Sequence, residues 1–250
     1  MKYNVDVAVK VDNYANGREA LFYTYDNCII CDQLKNNMIW EIHLNRLFEK
    51  IIKPTDVVLE GGCHIGTHTI KLGFLAKKVY AFEPMQSSFD LLSKNIILNN
   101  LDNIVVFKKG LSNNSYCAYY EWIPDNNPGG SGLSNNPMGK MPYYREPEEK
   151  LYVDLITIDS LNLDQLDFIK LDIEGYETLA ISGAISTILK YKPIITLEIY
   201  CDYYGGVDNN FVLEKFKMLT DIGYKVIHIY GPDYLFIPRE KKHVLDNIMY

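Results

Sequence analysis

The stretch Val57-Val58-Leu59-Glu60-Gly61-Gly62-Cys63-His64-Ile65-Gly66-Thr67-His68-Thr69 decides how the chain is read. Val57 to Leu59 is apolar and β-rich, the pattern of a strand covered on both faces. Gly62 and Gly66 bracket a turn, and glycine both permits tight backbone and lets a ligand approach it closely. From Thr67 to Ala76 the residues suit a helix. Strand, glycine turn and helix in that order are the layout of a nucleoside-binding loop at the first strand of a doubly wound sheet. They are equally the layout of an ordinary turn, and the rest of the chain decides between the two.

The chain has 250 residues, of which 48% are apolar and 23% charged. That fits a soluble globular protein of one large α/β domain or two small ones. The net charge is −7, with no basic tract. This disfavours nucleic acid as the main partner, because phosphates are neutralised by clustered Lys and Arg. Residues 1–6 lack the apolar core of a signal peptide, and no run approaches the roughly 18 apolar residues of a membrane span. The expectation is a cytoplasmic protein without a membrane partner. Five cysteines imply no disulfide framework. Cys28-Ile29-Ile30-Cys31 has redox or zinc spacing, but no second pair follows at zinc spacing and its neighbours are strand-like. It reads as two strand cysteines without chemistry.

Before the glycine loop, Ala20–Tyr25 and Cys28–Cys31 flank Asp26-Asn27 and read as a hairpin. Met38–Ile52 carries Ile39, Ile42, Leu47, Phe48, Ile51 and Ile52 close to helical spacing and is ended by Pro54. Residues 1–54 are therefore expected to be a hairpin-plus-helix cap on a main domain of residues 55–250. Beyond the loop, Lys78–Glu83 is a second strand followed by Pro84. Glu83 comes 23 positions after Glu60. An acid at the end of the second strand, about 20 residues on, accepts hydrogen bonds from ribose hydroxyls in nucleotide-binding α/β folds. This spacing favours the cofactor cradle over the ordinary turn. Gln86–Asn99 reads as a helix and Asn103–Lys108 as a third strand, and Gly110-Leu111-Ser112 after it borders the base of the nucleoside in such folds. Tyr116–Trp122 alternates like an extra strand. Pro124–Pro147 is rich in Gly, Asn, Pro and Ser, and an insertion over about 112–150 reads as a lid or substrate loop, with a disordered insertion as the alternative.

The second decisive stretch is Asp167-Phe168-Ile169-Lys170-Leu171-Asp172-Ile173-Glu174-Gly175-Tyr176-Glu177. Phe168–Leu171 is a fourth strand, a helix runs from about Glu177 to Leu189, and Pro193–Ile199 is a fifth strand. Glu60, Glu83, Asp172, Glu174 and Glu198 all fall at carboxyl ends of strands, where open α/β sheets bind ligands. Phe211–Ile222 reads as an amphipathic helix. Lys225–Tyr230 and Tyr234–Ile237, joined by Gly231-Pro232-Asp233, read as a closing hairpin. The expected fold is a Rossmann-like α/β domain: seven strands, mostly parallel, with the last antiparallel.

The loop at Val57–Gly66, Ala81-Phe82-Glu83-Pro84, and Phe168–Glu177 with Pro193–Ile199 together resemble the FkbM-type family of S-adenosylmethionine-dependent methyltransferases, of the class I fold. The resemblance spans roughly residues 55–230. Glu60 stands where that family has Asp, Cys63 where it has Ala, and His64 where it has Asn. The resemblance implies S-adenosylmethionine as cofactor and methyl transfer to a hydroxyl of a sugar, glycan or natural product. Glu60, Gly62 and Gly66 would cradle the methionine part and Glu83 the ribose, with Cys63, His64, Thr67, Pro84, Leu111, Ser112 and Asp172 as further cofactor-binding residues. Asp172 would lie beside the transferred methyl as general base or acceptor-orienting carboxylate, with Glu174 and Glu198 assisting. Asp172 and Glu198, on adjacent strand ends, could also hold Mg²⁺ through oxygen ligands. His43, His228 and His243 read as structural. A small-molecule or glycan acceptor is the expected partner, and a homodimer is compatible with the chain. Two other readings stay open: an RNA-cap or nucleic-acid methyltransferase, which the acidic composition opposes, and a non-catalytic cofactor-binding or interaction module, to which only His64 points.

Overall fold

Short β-branched and aromatic runs, each covered by helices on both faces, build the centre of the molecule. The computed structural model describes residues 3–26, 28–124, 127–137, 147–200 and 208–248. Among these no helix is long and apolar enough to cross a membrane.

The chain opens with β1 (Tyr3–Ala15) and β2 (Arg18–Tyr25), antiparallel partners. Their turn is Asn16-Gly17, both at positive φ (48° and 80°), as the twist-matched two-residue hairpin turn demands. The sequence places this hairpin at Asp26-Asn27 instead. There the structure has α1 (Ile29–Lys35), with Cys28 as its N-cap and Ile30, Cys31 and Leu34 buried on one helical stripe. Cys31 is thus a helix residue and Cys28 the cap before it, and Asn27 lies outside the described residues. The helix expected over Met38–Ile52 is the shorter α2 (Ile42–Ile51). Asn95 and Asn99, on a later helix, pair with the backbone of Tyr23 and Leu21 and so satisfy the outer edge of β2.

Then come β3 (Val57–Gly61), α3 (Thr67–Leu75), β4 (Lys78–Phe82), α4 (Gln86–Leu98) and β5 (Ile104–Phe107). The insertion holds β6 (Gly110–Leu111), β7 (Tyr116–Trp122), β8 (Gly132–Leu133) and β9 (Tyr152–Ile156). These form a small sheet of their own in the order β6-β9-β7-β8. Part of the expected lid, residues 125–126 and 138–146, lies outside the described residues. The described part is ordered by contacts: the Trp122 indole donates to the Gly130 carbonyl at 3.2 Å and lies where a side chain at Gly132 would have to go.

The chain returns as β10 (Phe168–Leu171), α5 (Glu177–Ser182), α6 (Ile185–Tyr191), β11 (Ile194–Glu198), α7 (Asn209–Lys215), α8 (Lys217–Asp221), β12 (Tyr224–Tyr230), β13 (Asp233–Pro238) and α9 (Val244–Ile248). The central sheet has the order β12-β13-β11-β10-β3-β4-β5. β13 runs antiparallel to both neighbours, and the other pairings are parallel. Successive strand residues face opposite sides. Val58, Val79, Ala81 and Phe168 belong to the core layer under α2, α3 and α4. Leu59, Phe82, Ile169 and Leu197 belong to the layer that includes residues of α5–α8.

The strand order reverses between β3 and β10, and an α/β sheet opens its ligand crevice at such a switch point. Elsewhere, two helices read as continuous are broken by tertiary contact. Glu177–Leu189 is split into α5 and α6 at Gly183, whose hydrogen faces the Ser112 carbonyl oxygen so closely that a Cβ would overlap it. Phe211–Ile222 is split at Phe216, which turns fully inward onto Phe236 with ring centroids 5.6 Å apart. Gly183→Ala is therefore expected to destabilise the fold by about 1–3 kcal/mol, the range for overpacking, read as a lower urea midpoint at unchanged slope.

Candidate active site

The glycine loop leaves the end of β3 and hooks onto β4. Gly62 and Cys63 donate their N–H groups to the Phe82 carbonyl at 3.0 and 3.3 Å. Gly62 has φ +79°, and a Cβ there would overlap the Asp172 carbonyl oxygen. Gly66, at φ +96°, opens α3, and a Cβ would come within 2.7 Å of Leu92. Between them His64 holds φ +49°, a conformation that a non-glycine residue keeps only when its surroundings impose it. The imposing group is Glu83. Its carboxylate accepts the His64 N–H at 2.7 Å and the Met85 N–H at 2.8 Å, clasping the loop to the end of β4. Burial pushes the Glu83 carboxyl up to about 7 against the pull of these two bonds. Glu60 is fully buried; it accepts the Thr69 hydroxyl at 2.6 Å through one oxygen, and the other has no partner. Both ring nitrogens of His64 are also without a partner, and burial brings the imidazole down to about 4, so it is neutral.

The second loop leaves β10. Glu174 (φ +54°) and Gly175 (φ +98°) make the turn. Glu177 holds it by accepting the N–H groups of Ile173 at 2.9 Å and Gly175 at 3.3 Å. Asn136 of the insertion donates to the Glu174 carbonyl at 2.6 Å. Oxygens of Asp172, Glu174 and Glu198 all lie within 4.8 Å of one another. The Lys170 ammonium is buried 3.0 Å from Asp172. Burial works against ionisation of Asp172, but Lys170 and the hydrogen bond with Glu198 outweigh it and hold the carboxyl below its usual range. Burial first and repulsion from Asp172 second push Glu174 and Glu198 well above theirs. Asp172 is thus driven toward the ionised form and Glu174 and Glu198 toward the protonated form.

These loops frame a cleft with two lobes. The first spans about 550 Å³, open solvent included, and is largely apolar, with Phe82, Met85, Leu111, Tyr120, Leu133 and Tyr176 around Glu83 and Pro84. The second spans about 790 Å³ on the same basis and is polar: Glu41, Glu60, His64, His68, Lys170 and Glu198, with Trp40 and Tyr200 as aromatic walls. Gly62, Glu83, Gly129, Asp172 and Glu174 line both, so the lobes meet there.

Of the residues singled out from sequence, Glu60, Cys63, His64, Thr67 and Glu198 line the polar lobe, Pro84 and Leu111 the apolar one, and Gly62, Glu83, Asp172 and Glu174 both. Ser112 and Gly66 line neither. Ser112 is buried under the insertion and donates its N–H to Ile156 at 2.9 Å, and Gly66 is packed behind the loop against Leu92. The sequence reading passes over Lys170, inside β10 and two positions before a named acid. It also passes over Trp40, Glu41 and His68. Glu41 has φ +46° and its carboxylate meets His68 Nε2 at 2.7 Å. His43, read as structural, is bonded to the Asp233 carboxylate at 2.6 Å, outside both lobes.

A family model described as methyltransferase FkbM domain matches residues 61–226. The ribosomal protein L11 methyltransferase of Thermoanaerobacter sp. (strain X514) is 41% identical over 66 residues, which are 25% of this chain and 21% of that protein. The chain thus spans about a fifth of the length of that curated relative. Among solved structures, methyltransferase FkbM from Methylobacillus flagellatus KT aligns at 19% identity over 74% of this chain and 44% of the other, with a TM-score of 0.49. An rRNA methylase from Streptococcus thermophilus aligns at 14% identity over 79% of this chain and 94% of the other, at 0.46. SMU.1697c from Streptococcus mutans, in complex with SAH, aligns at 14% over 79% and 96%, at 0.45.

The clasp at Glu177 has a pH signature. Burial raises its carboxyl from 4.5 to about 7, so between those values the folded chain keeps a proton that the unfolded chain has released. The contribution of this group to stability is then lost as pH rises through that window. Glu177→Gln keeps an oxygen acceptor and removes the titration. Relative to this variant, the wild type is expected to lose up to about 3 kcal/mol between pH 4.5 and 7. Urea unfolding of both proteins at pH 5 and pH 8 checks this; parallel pH dependence would contradict it.

Proposed function

The chain belongs to the FkbM methyltransferase family, and on that premise we propose that it transfers the methyl group of S-adenosylmethionine to a hydroxyl of a sugar, glycan or natural-product acceptor. The observation that carries this reading is the two-lobed cleft, in which an apolar lobe ending at Glu83 meets a carboxylate-rich lobe at Asp172.

The residues fit the cofactor. Met85, Leu111 and Leu133 offer apolar surface to an adenine, and Glu83 at the end of β4 is placed to accept from ribose hydroxyls. The unpartnered, fully buried oxygen of Glu60 offers a hydrogen-bond acceptor for the methionine ammonium. The sulfonium supplies a methyl group already activated for displacement. The chain then has to align the acceptor and receive a proton. Asp172, held ionised beside Lys170, would accept the acceptor hydroxyl's hydrogen bond, orient its oxygen and take up its proton as the methyl group is transferred. An aliphatic hydroxyl is a poor acid, so this proton leaves late. Glu174 and Glu198, driven toward the protonated form, can donate hydrogen bonds to neighbouring oxygens of the acceptor. Trp40 and Tyr200 give the polar lobe flat apolar walls of the kind that pack against a ring. The net charge of −7 and the absence of a basic tract disfavour an RNA acceptor.

The test uses deuteromethyl S-adenosylmethionine with panels of sugars, glycans, hydroxylated natural products and capped RNA, read by mass spectrometry. A labelled-methyl mass gain on a hydroxylated small molecule or glycan is expected; gain on RNA alone would reject the acceptor class. On an identified acceptor, Asp172→Asn is expected to lower turnover by about 10²–10⁴-fold with a much smaller change in S-adenosylhomocysteine affinity by calorimetry. Unchanged turnover would remove Asp172 from the chemistry.

A further inference from the structure

Trp40 and Glu41 enter the polar lobe from the N-terminal cap, ahead of the first residue that matches the family. Their backbone is set for this. Glu41 precedes α2 at φ +46°, and its side chain does not cap that helix. Asn45, buried in the following turn, holds the bend: its amide donates to the Trp40 carbonyl at 2.7 Å and to the Glu41 carbonyl at 3.4 Å. A glutamate kept in the left-handed region is held there by its surroundings. Its carboxylate goes instead to His68 on α3, meeting Nε2 at 2.7 Å.

That bond decides which atoms are free. A carboxylate only accepts, so Nε2 carries the proton, and in the neutral ring Nδ1 is left as an acceptor. His68 is 3% exposed and lines the lobe, and its Nδ1 has no partner. The second oxygen of Glu41 also takes no hydrogen bond among the described residues. Phe48 packs edge-on to the imidazole with centroids 5.5 Å apart and fixes its plane. Two bare acceptors thus share the lobe with the indole of Trp40, and neither belongs to the cofactor cradle. A buried acceptor without a donor is costly to keep, which marks the pair as made to receive one.

We propose that Trp40, Glu41 and His68 form the acceptor subsite of the polar lobe and that it takes one pyranose ring, the C–H face of the sugar on the indole and two of its hydroxyls donating to Glu41 and His68. For its place in the reaction this rests on the methyl-transfer reading above; its test does not.

A sugar ring suits all three groups at once, because it carries an apolar C–H face and a rim of O–H donors. A planar aromatic acceptor would cover the indole and leave both acceptors bare, and an anionic one would meet Glu41 with like charge. The Glu41 charge acts on Lys170 and on Glu198, so the subsite adjoins the carboxylates ending β10 and β11. A ring seated there can turn a further hydroxyl toward Asp172. The cap is then the element that chooses the acceptor, while the family-matched residues hold the methyl donor. A site built to hydrogen-bond a hydroxyl rejects the analogue that lacks it.

Saturation-transfer difference NMR of the full chain with a panel of methyl hexopyranosides, with and without S-adenosylhomocysteine, tests the subsite. At least one glycoside is expected to show saturated ring C–H protons at millimolar concentration, and two of its monodeoxy analogues to bind at least tenfold more weakly. Trp40→Ala and His68→Gln are each expected to weaken the glycoside at least tenfold. His68→Gln keeps an N–H for Glu41 and removes the Nδ1 acceptor. Trp40→Phe, which keeps a flat wall, is expected to recover most of the binding. S-adenosylhomocysteine affinity, read by calorimetry, is expected to be unchanged in all three variants, which also shows them folded. Asp221→Asn, which alters an exposed acid paired with Lys217, is expected to change neither ligand. Saturation of no glycoside, or binding that survives either Trp40→Ala or His68→Gln, overturns the proposal. So does binding of planar phenols in place of glycosides. A chain that binds S-adenosylhomocysteine but no glycoside loses the subsite and keeps the methyl donor. One that binds a glycoside but not the nucleoside keeps the subsite and loses the methyl-transfer reading.

Discussion

Gly62 and the Asp172 carbonyl meet so closely that only a hydrogen fits between them. The parallel register of β3 and β10, with Gly61 opposite Leu171, brings the two loops side by side. The Asp172 N–H donates back to the Gly61 carbonyl at 3.2 Å. The glycine loop and the carboxylate loop are therefore one mechanical unit rather than two neighbours. A side chain at position 62 would part them, and with them the two lobes of the cleft. The apolar lobe depends on this contact because Gly61 and Gly62 form one of its walls. The polar lobe depends on it because Asp172 is where the lobes join.

The second constraint is electrostatic. Buried charges are tolerated only when paired or hydrogen-bonded, and this cleft concentrates acids around a single buried ammonium. Each acid resolves the problem differently. Glu83 takes two backbone N–H groups and becomes a clasp. Glu177 does the same for the turn after β10. Asp172 takes Lys170 and stays ionised. Glu174 and Glu198, left with each other and with Asp172, are driven toward the protonated form. The site thus places a hydrogen-bond acceptor and hydrogen-bond donors within one small cluster, a useful arrangement for holding a hydroxylated ring in one orientation.

Much of this was legible in the chain itself, where the cause is local. The apolar strands, the glycines at 62 and 66, and the acids at strand ends are set by short-range periodicity and backbone freedom, and the structure has β3, β4, β5, β10 and β11 where strands were expected. What was hidden depends on contacts distant in sequence. The hairpin at Asn16-Gly17 carried the strongest turn signal in that region, yet the β-rich look of Cys28–Cys31 masked a helix whose buried stripe only the core makes sense of. The breaks at Gly183 and Phe216 follow from the Ser112 carbonyl and from Phe236. Ser112 itself sits under the insertion instead of in the cleft, because β6 pairs with β9. Trp40 and Glu41 reach the polar lobe from outside the residues that match the family, and helical spacing alone marks them only as neighbours of a core face. Lys170 was readable in principle: a lysine inside an otherwise apolar buried strand needs a partner, and the nearest acid was two residues on.

The central claim is that one cleft seats a nucleoside in its apolar lobe and presents the reacting group to the carboxylates of its polar lobe. A crystal structure of the chain with S-adenosylhomocysteine measures this most directly. The account predicts the adenine against Met85 and Leu111, the ribose hydroxyls on Glu83, and the sulfur at the junction facing Asp172. A nucleoside seated elsewhere, or one whose sulfur points away from Asp172 and Glu174, would contradict it.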